Sequence, residues 1–296
     1  MHRQAGLVSC GWLLLVVGFA LAQPAPQSGS PPQALYRADV SYTAAGGLDS
    51  EAGGGEVDAV FARASYSHQF RTGERLTWGV GPIYQGLSLG NDADVPLPDD
   101  LHGVALGLSL QWLPADRWWV RLDVRPGVYS DWVDLSGQDF NAPALVAVGY
   151  QIHTNLMLVA GINVNVWSRL ATVGGPGIVW QIAEAWRLNL VLPRPVVEYA
   201  PSRSWGFYAG GELQGGSYRL AEEFGDEHNR SELNGDKFAY REIRVLGGVR
   251  WSLSRAFRLS LEAGYAADRE FEFREAGWEF GAQGAPFVQV LATGSL

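Results

Sequence analysis

Beyond residue 22 the sequence has no cysteine. Cys10, the only one in 296 residues, falls inside an N-terminal apolar run. Disulfides, thiol nucleophiles and zinc–thiolate sites are therefore excluded from everything that follows it. Lysine is nearly as scarce, with Lys237 alone, and only 18% of residues are charged. The formal net charge is -9 and no basic cluster occurs, so nucleic acid is not an expected partner. After the N-terminal run, no stretch reaches the roughly 18 apolar residues that a membrane-spanning helix requires. What the chain does have is 37 glycines, 12 tryptophans, 11 tyrosines and 12 phenylalanines.

The N-terminus carries His2 and Arg3, then the run GLVSCGWLLLVVGFALA, which ends in Ala20-Leu21-Ala22 before Gln23. This is the layout of a cleaved secretory signal, with cleavage expected after Ala22. A retained anchor is the alternative. LVSC at 7–10 resembles a lipoprotein box, but it precedes the apolar core instead of following it. The expected organisation is a signal peptide over 1–22, a linker over 23–34 and one large all-β domain over 35–296, about 274 residues after cleavage.

Period-two segments of roughly ten residues recur from residue 35 onward. In NLMLVAGINVNVW (155–167), Leu156, Leu158, Ala160, Ile162, Val164 and Val166 share one parity, while Asn163 and Asn165 fall on the other. A strand points alternate side chains to opposite faces. VALGLSLQW, WVRLDVRPGV, WRLNLVL, REIRVLGGVRW and FRLSLEAGY repeat the pattern, each with one face almost free of charge. A soluble sandwich also alternates. Two further features favour a membrane barrel. Trp112, Trp118, Trp119, Trp132, Trp167, Trp180, Trp186, Trp205 and Trp251 all fall near expected strand ends, as membrane-interface aromatics do. Short turns near 71–74, 114–117, 153–155, 183–185, 201–204 and 253–255 also alternate with longer polar loops near 44–55, 90–101, 131–141, 216–236 and 268–284. Outer-membrane barrels have short periplasmic turns and long external loops.

For the alternation to run without a break, LPRPV at 192–196 and Ser168–Thr172 must both be tight external turns. The count is then fourteen strands with both termini periplasmic, an up-and-down antiparallel transmembrane β-barrel. Merging 186–200 into one bent strand gives twelve or thirteen. Pairing Trp112 with Trp118, Ile152 with Leu156, Ile182 with Trp186 and Trp251 with Phe257 keeps apolar residues against apolar residues, and a one-residue slip would invert the faces.

The segments WRLNLVLPRPVVEYAPSRSWGFYAGGELQGGSYRL (186–220), GVYSDWVDLSGQDF (127–140), REFEFREAG (269–277) and APFVQVLATG (285–294) resemble an uncharacterised family of predicted outer-membrane β-barrel proteins, a domain of unknown function. The resemblance covers most of the chain after the signal. It implies the fold and the location, and no catalytic residues. One departure is the ending LATGSL, where many such barrels close on an aromatic residue.

On this reading the wet faces line a lumen. Its candidate lining is Arg121, Asp123, Arg125, Asn163, Asn165, Arg187, Glu212, Glu242, Arg244, Arg250, Arg258 and Glu262. Gln111, Gln181 and Gln214 add amides, and Gly149, Gly161, Gly206 and Gly210 add room or curvature. The candidate interface aromatics are Trp112, Trp118, Trp119, Trp167, Trp186, Trp205 and Trp251.

Catalytic constellations are weaker. No HExxH, paired-histidine spacing or nucleophile elbow occurs. Asp99, Asp100 and His102 sit together on an expected external loop and could in principle activate water, although a solvated loop is much the better reading. The acidic stretch AEEFGDEHNRSELNGD (221–236) offers oxygens for a hard cation, but matches no EF-hand. Ser65, Ser67 and His68 cluster in sequence, yet adjacent strand residues face opposite ways.

The expected function is a passive outer-membrane pore or transporter for small hydrophilic solutes, with six arginines among ten lumen charges hinting at anions. The alternatives are a closed structural or adhesive barrel presenting its loops and, more remotely, a barrel hydrolase. A soluble periplasmic barrel is the rival at the level of fold. Expected partners are outer-membrane lipid, the barrel-insertion machinery and small solutes. No metal or cofactor is called for.

Overall fold

The computed structural model describes residues 34–49, 54–91, 95–167 and 172–296. The expected signal peptide, nearly all of the linker, and Ser168–Ala171 of one expected turn lie outside these residues. Fourteen strands form one closed antiparallel barrel. They are β1 (Ala34–Gly47), β2 (Glu56–Thr72), β3 (Leu76–Asn91), β4 (Asp100–Ala115), β5 (Trp118–Val124, continued by Gly127–Ser130), β6 (Phe140–Asn141, continued by Ala144–His153), β7 (Leu156–Val164), β8 (Thr172–Ala183), β9 (Trp186–Asn189), β10 (Val196–Tyr199), β11 (Trp205–Arg219), β12 (Lys237–Ser252), β13 (Phe257–Phe273) and β14 (Trp278–Ala282, continued by Ala285–Ser295). Closure comes from β1 against β14, with Val40 opposite Val290 and Ala38 opposite Ala292. At the short-turn end the first and last described residues meet, Ala34 and Leu296 exchanging main-chain hydrogen bonds of 3.0 and 2.9 Å. No sheet edge is left between β14 and β1, the solution a barrel offers to the edge problem.

The faces follow the sequence parity. Leu106, Leu108, Leu158, Ile162, Val245, Leu261 and Val290 are exposed on the outside, although they are the residues a soluble core would claim. Asp39, Asp123, Glu212, Glu242, Arg244 and Glu262 are buried inside. At the short-turn end, outward aromatics pair across neighbouring strands: Phe70 with Trp78, Trp118 with Tyr150, Trp186 with Tyr199, and Trp205 with Trp251 at a 5.7 Å centroid separation and 6° between planes. Such a ring suits the membrane–water boundary.

The hairpin registers partly differ from expectation. Tyr150 lies opposite Leu158 and Trp180 opposite Leu188, as the pairings through Ile152 and Ile182 require. Trp112, however, lies opposite Val120, and Trp251 opposite Leu259. Both differ from the expected pairing by two residues, because the turns are wider than assumed. A shift of two leaves each side chain on its face, whereas a shift of one would not.

The loop expected at 268–284 is shorter than its polarity suggests. β13 runs on to Phe273 and β14 restarts at Trp278, leaving only a turn in which Gly277 has φ 67°. An extra residue, Ala267, falls between the pairs Ile243–Asp268 and Arg244–Ala266. This bulge reverses the parity, so that Arg269, Phe271 and Phe273 point inward. The alternation breaks there in the sequence, and the segment reads as a loop.

The outer end is pinched. Ser130 at the top of β5 pairs with Arg219 at the top of β11, although five strands, β6 to β10, lie between them around the barrel. Arg219 also holds Asp139 at 3.3 Å. The ring formed by β11–β14 and β1–β5 therefore closes on itself at this level. Its interior is an apolar core that includes Phe61, Leu87, Tyr218, Phe238, Tyr240, Phe271, Phe273 and Phe280. The long segment 220–236 folds into the mouth, burying Leu220, Phe224 and Leu233. Among the described residues β7, β8 and β9 contribute nothing to this core; Met157, Val159 and Val179, with Val191 just past β9, form a separate small inner cluster, with Trp119 against it.

Candidate functional site

Below the aromatic core the interior is a belt of ion pairs. Each member comes from a strand position of inward parity, so barrel closure brings together charges far apart in sequence. Arg244 of β12 is 2% exposed. Its Nε donates to Glu242 at 2.5 Å and its Nη1 to Gln214 at 2.8 Å and Gln289 at 3.2 Å. Its Nη2 donates to Ser41 at 3.2 Å and Thr43 at 3.0 Å. Asp39 accepts from Arg37 at 2.7 Å and Arg63 at 3.2 Å. Arg269 donates from Nη1 to the Val57 carbonyl at 2.9 Å, beside Tyr240 and Glu242. A buried charge survives only when paired and hydrogen-bonded in this way.

A second group lies nearer the short turns. Arg194 projects inward from the tip of the β9–β10 hairpin, reaching Glu212 at 3.1 Å and Glu262 at 2.6 Å. Tyr208 also donates to Glu262, at 2.7 Å. Arg121 donates to Asp123 at 2.7 Å, and Arg250 pairs with Glu198. Arg187 lies half-buried opposite Glu198 across the β9–β10 pair.

Of the lumen candidates read from sequence, Arg121, Asp123, Glu212, Glu242, Arg244, Arg250 and Glu262 thus lie in this belt, and Arg125 is buried at 3% exposure. Asn165 is buried on the inner side, accepting from Asn141 at 3.0 Å and from the Trp167 main chain at 3.1 Å. Asn163 is half-buried. Arg258 is exposed at the short-turn rim, apart from the network.

Two of the interface aromatics are corrected. Trp119 follows Trp118 directly, and since Trp118 faces out, Trp119 must face in. Its indole Nε1 donates to Met157 Sδ at 2.9 Å. Trp167 is 6% exposed and packs edge-on against Tyr129 inside the outer core. Trp112, Trp118, Trp186, Trp205 and Trp251 are exposed on the outer wall.

The catalytic constellations do not assemble. The His102 ring nitrogen Nδ1 lies 3.0 Å from the Tyr84 hydroxyl, while Asp99 and Asp100 are exposed. Ser67 is half-buried and His68 exposed on the opposite face. In the loop between β5 and β6, Asp131 accepts from the main chain of Ala221 at 2.7 Å and of Val133 at 3.3 Å. Burial nevertheless holds its carboxyl above the ordinary range, with those bonds opposing the shift.

Sequence reasoning missed Arg194, Arg37, Asp39, Arg63 and Arg269. Parity alone would have found Asp39 with Ser41, and Arg63 with Phe61. Nothing in the local pattern marks Arg194, whose inward reach depends on how short the hairpin is.

A profile described as a domain of unknown function (DUF6268) matches residues 67–286. No curated protein matches. Among solved structures, the TodX deltaS2S3 mutant monoaromatic hydrocarbon channel is 10% identical over 90% of this chain and 91% of that one, with a TM-score of 0.51. An outer membrane channel from Pseudomonas putida F1 is 10% identical over 93% of this chain and all 100% of that one, with a TM-score of 0.49. The Pseudomonas putida toluene transporter TodX is 9% identical over 90% of each chain, with a TM-score of 0.48. At these identities the likeness bears on fold alone.

Proposed function

The chain belongs to the DUF6268 family, and we propose that it is an outer-membrane barrel for the passive passage of small molecules, without catalytic activity. Outer-membrane lipid and the barrel-insertion machinery are its expected partners on this reading. The observation that carries it is an interior that is neither dry throughout nor fully packed. Leu145, Gly161, Asn163 and Gly175, on the inner side of β6–β8, are only half-buried. The opposite wall holds Arg244, Gln289 and Glu262 at 2% exposure or less. Accessible space therefore runs along one side of the barrel.

Selectivity for hydrophilic anions draws less support. Arg121, Arg194, Arg244 and Arg250 each have a carboxylate at ion-pair distance, and paired charges leave little field for an incoming anion. The adhesive alternative relies on loops held out to partners, whereas 220–236 is folded into the mouth.

Liposome swelling with neutral sugars and amino acids tests passage. The native protein should admit small solutes slowly, and a variant lacking residues 222–233, which would unplug the mouth, should admit them faster. Vesicles that stay impermeable with both proteins would overturn the proposal in favour of a closed structural barrel.

A further inference from the structure

The outward residues of β4 change character along the strand. From the short-turn end they run Trp112, Leu110, Leu108, Leu106, Val104, His102 and Asp100. The ten residues from Trp112 to His102 span about 34 Å along a strand, or roughly 26 Å of height at a tilt of about 40°. The apolar band of such barrels is about 25 Å tall. With Trp112 at one membrane boundary, His102 therefore stands at the other.

An aromatic cluster marks that level. The Tyr84 hydroxyl lies 3.0 Å from His102 Nδ1, and the two rings stack 6.0 Å apart. The Trp132 indole meets the His102 ring edge-on at 6.3 Å, and its Nε1 donates to the His102 carbonyl at 3.2 Å. Trp132 is held at φ 63°, a conformation that bulky residues rarely adopt. Its main-chain N–H donates to Ser130 Oγ at 3.0 Å. Tyrosine and tryptophan, apolar in body and polar at the tip, suit a lipid–water boundary.

Residues 131–140, which carry Trp132 from the top of β5 to the start of β6, have two sides. Toward the mouth, the Asp131 carboxylate accepts from the Ala221 N–H at 2.7 Å. The Asp131 N–H donates to the Arg219 carbonyl at 3.3 Å, and Asp139 pairs with the Arg219 guanidinium at 3.3 Å. The segment 220–236 that fills the mouth thus hangs from these two aspartates. On the other side Trp132, Val133, Leu135 and Phe140 are all exposed, Val133 to 76%. Four large apolar side chains left in water within ten residues would be costly.

The patch runs directly into the outer wall. Phe140 lies opposite Val128, and Val128 opposite the outward Val104. What covers Val104 and Leu106 therefore covers Phe140 as well, and on the wall that is lipid. Asp100 and Asp134, both exposed, limit the depth, because a carboxylate drawn further in would lose its hydration.

We propose that residues 131–140 are a lipid-docking surface. Trp132, Val133, Leu135 and Phe140 enter the boundary between acyl chains and headgroups of the outer leaflet, while Asp131 and Asp139 hold the segment 220–236 in the mouth. Seated in lipid, the loop cannot lift outward, and the segment hung from it stays in place. The proposal goes beyond the passage reading and needs only the membrane placement of the barrel.

The test uses the whole protein refolded into phosphatidylcholine vesicles, with and without a lipid bearing a nitroxide on its headgroup. A nitrobenzoxadiazole dye is attached at Leu135→Cys or, as a reference in water, at Glu223→Cys. The nitroxide should quench the dye at 135 at least twofold more than the dye at 223. Leu233, which has no exposed surface, reports on the mouth. Labelling of Leu233→Cys by a water-soluble maleimide should become at least fivefold faster when Val133→Ser and Leu135→Ser are added. Heat-modifiable gel mobility confirms that each variant is folded, and Val133→Cys serves for the dye if Leu135→Cys is not. Equal quenching at 135 and 223, whether the loop lies in water or against a second copy or another protein, overturns the lipid-docking surface. Labelling at 233 that does not change overturns the hold on the mouth. Liposome swelling reads passage separately, so a quenched dye in an impermeable vesicle sinks only the passage reading.

Discussion

Arg194 Nη2 lies 2.6 Å from Glu262 Oε1, joining the tip of the shortest hairpin to a strand three places further round the barrel. Through Nη1 the same guanidinium holds Glu212 at 3.1 Å. One side chain thus compensates two carboxylates whose residues are 1% and 3% exposed. It also ties down a turn with few contacts of its own.

Removing that cation leaves two buried carboxylates without it. Arg194→Ala should therefore destabilise the barrel by about 3–5 kcal/mol, the usual cost of breaking a buried ion pair. Adding Glu262→Gln to the same protein should recover part of the loss. Urea unfolding followed by heat-modifiable mobility measures both, and a neutral single variant would contradict the latch.

The depth of the hairpin tip has its own test. The strands β9 and β10 have 4 residues each, where a transmembrane strand needs roughly 9–11, so the tip turns inside the hydrocarbon layer and Leu192→Arg places a charge there. In the middle of the hydrocarbon layer it should cost about 2–4 kcal/mol, against 0–1 near the interface. Ile162→Arg, deeper on the outward face of full-length β7, supplies the reference. A cost near zero at Leu192 alongside a large one at Ile162 would put the tip in water.

Tryptophan fluorescence separates the two classes of indole. Shallow brominated lipids should quench Trp186 and Trp205, both 45% exposed on the outer wall. They should leave Trp119 and Trp167 untouched, as Trp→Phe difference measurements can show. Quenching of Trp167 would contradict its place in the outer core.

The outer core should hold the mouth shut. Phe271 has no exposed surface and stacks on Phe280 at a 5.3 Å centroid separation. Phe271→Ala should cost about 3–5 kcal/mol, as large-to-small changes at buried aromatics do. It should also raise the conductance of the barrel in planar bilayers, whereas unchanged conductance would place the closure elsewhere.

Much of the wall was legible because alternation is a local property. Leu106, Leu108 and Leu110, or Val245 and Val249, announce one face within a few residues, and the short turns between strands fix the order. LPRPV reads correctly as a turn for the same reason. What parity cannot supply is height. Nothing between Trp186 and Tyr199 says that their hairpin stops part-way up, so Arg194 was invisible as an interior residue. Parity also fails across the bulge at Ala267, which hid Phe271 and Phe273 from the core and made 268–284 resemble a loop. Trp167 and the segment 220–236 fold inward through contacts distant in sequence, whereas the strand-end position of the one suggested the membrane interface and the polarity of the other an open loop.

A membrane barrel requires acyl chains to touch the outer wall. Because no cysteine follows Cys10, single cysteines at Leu158, Leu192 and Val290 can carry nitroxide labels in the refolded protein in vesicles. Power-saturation electron paramagnetic resonance then compares collisions with oxygen, which concentrates in lipid, and with a water-soluble nickel chelate. The prediction is high oxygen and low nickel accessibility at all three positions. High nickel accessibility at Leu158 and Val290 would mean that the wall faces water, and the membrane barrel would be wrong.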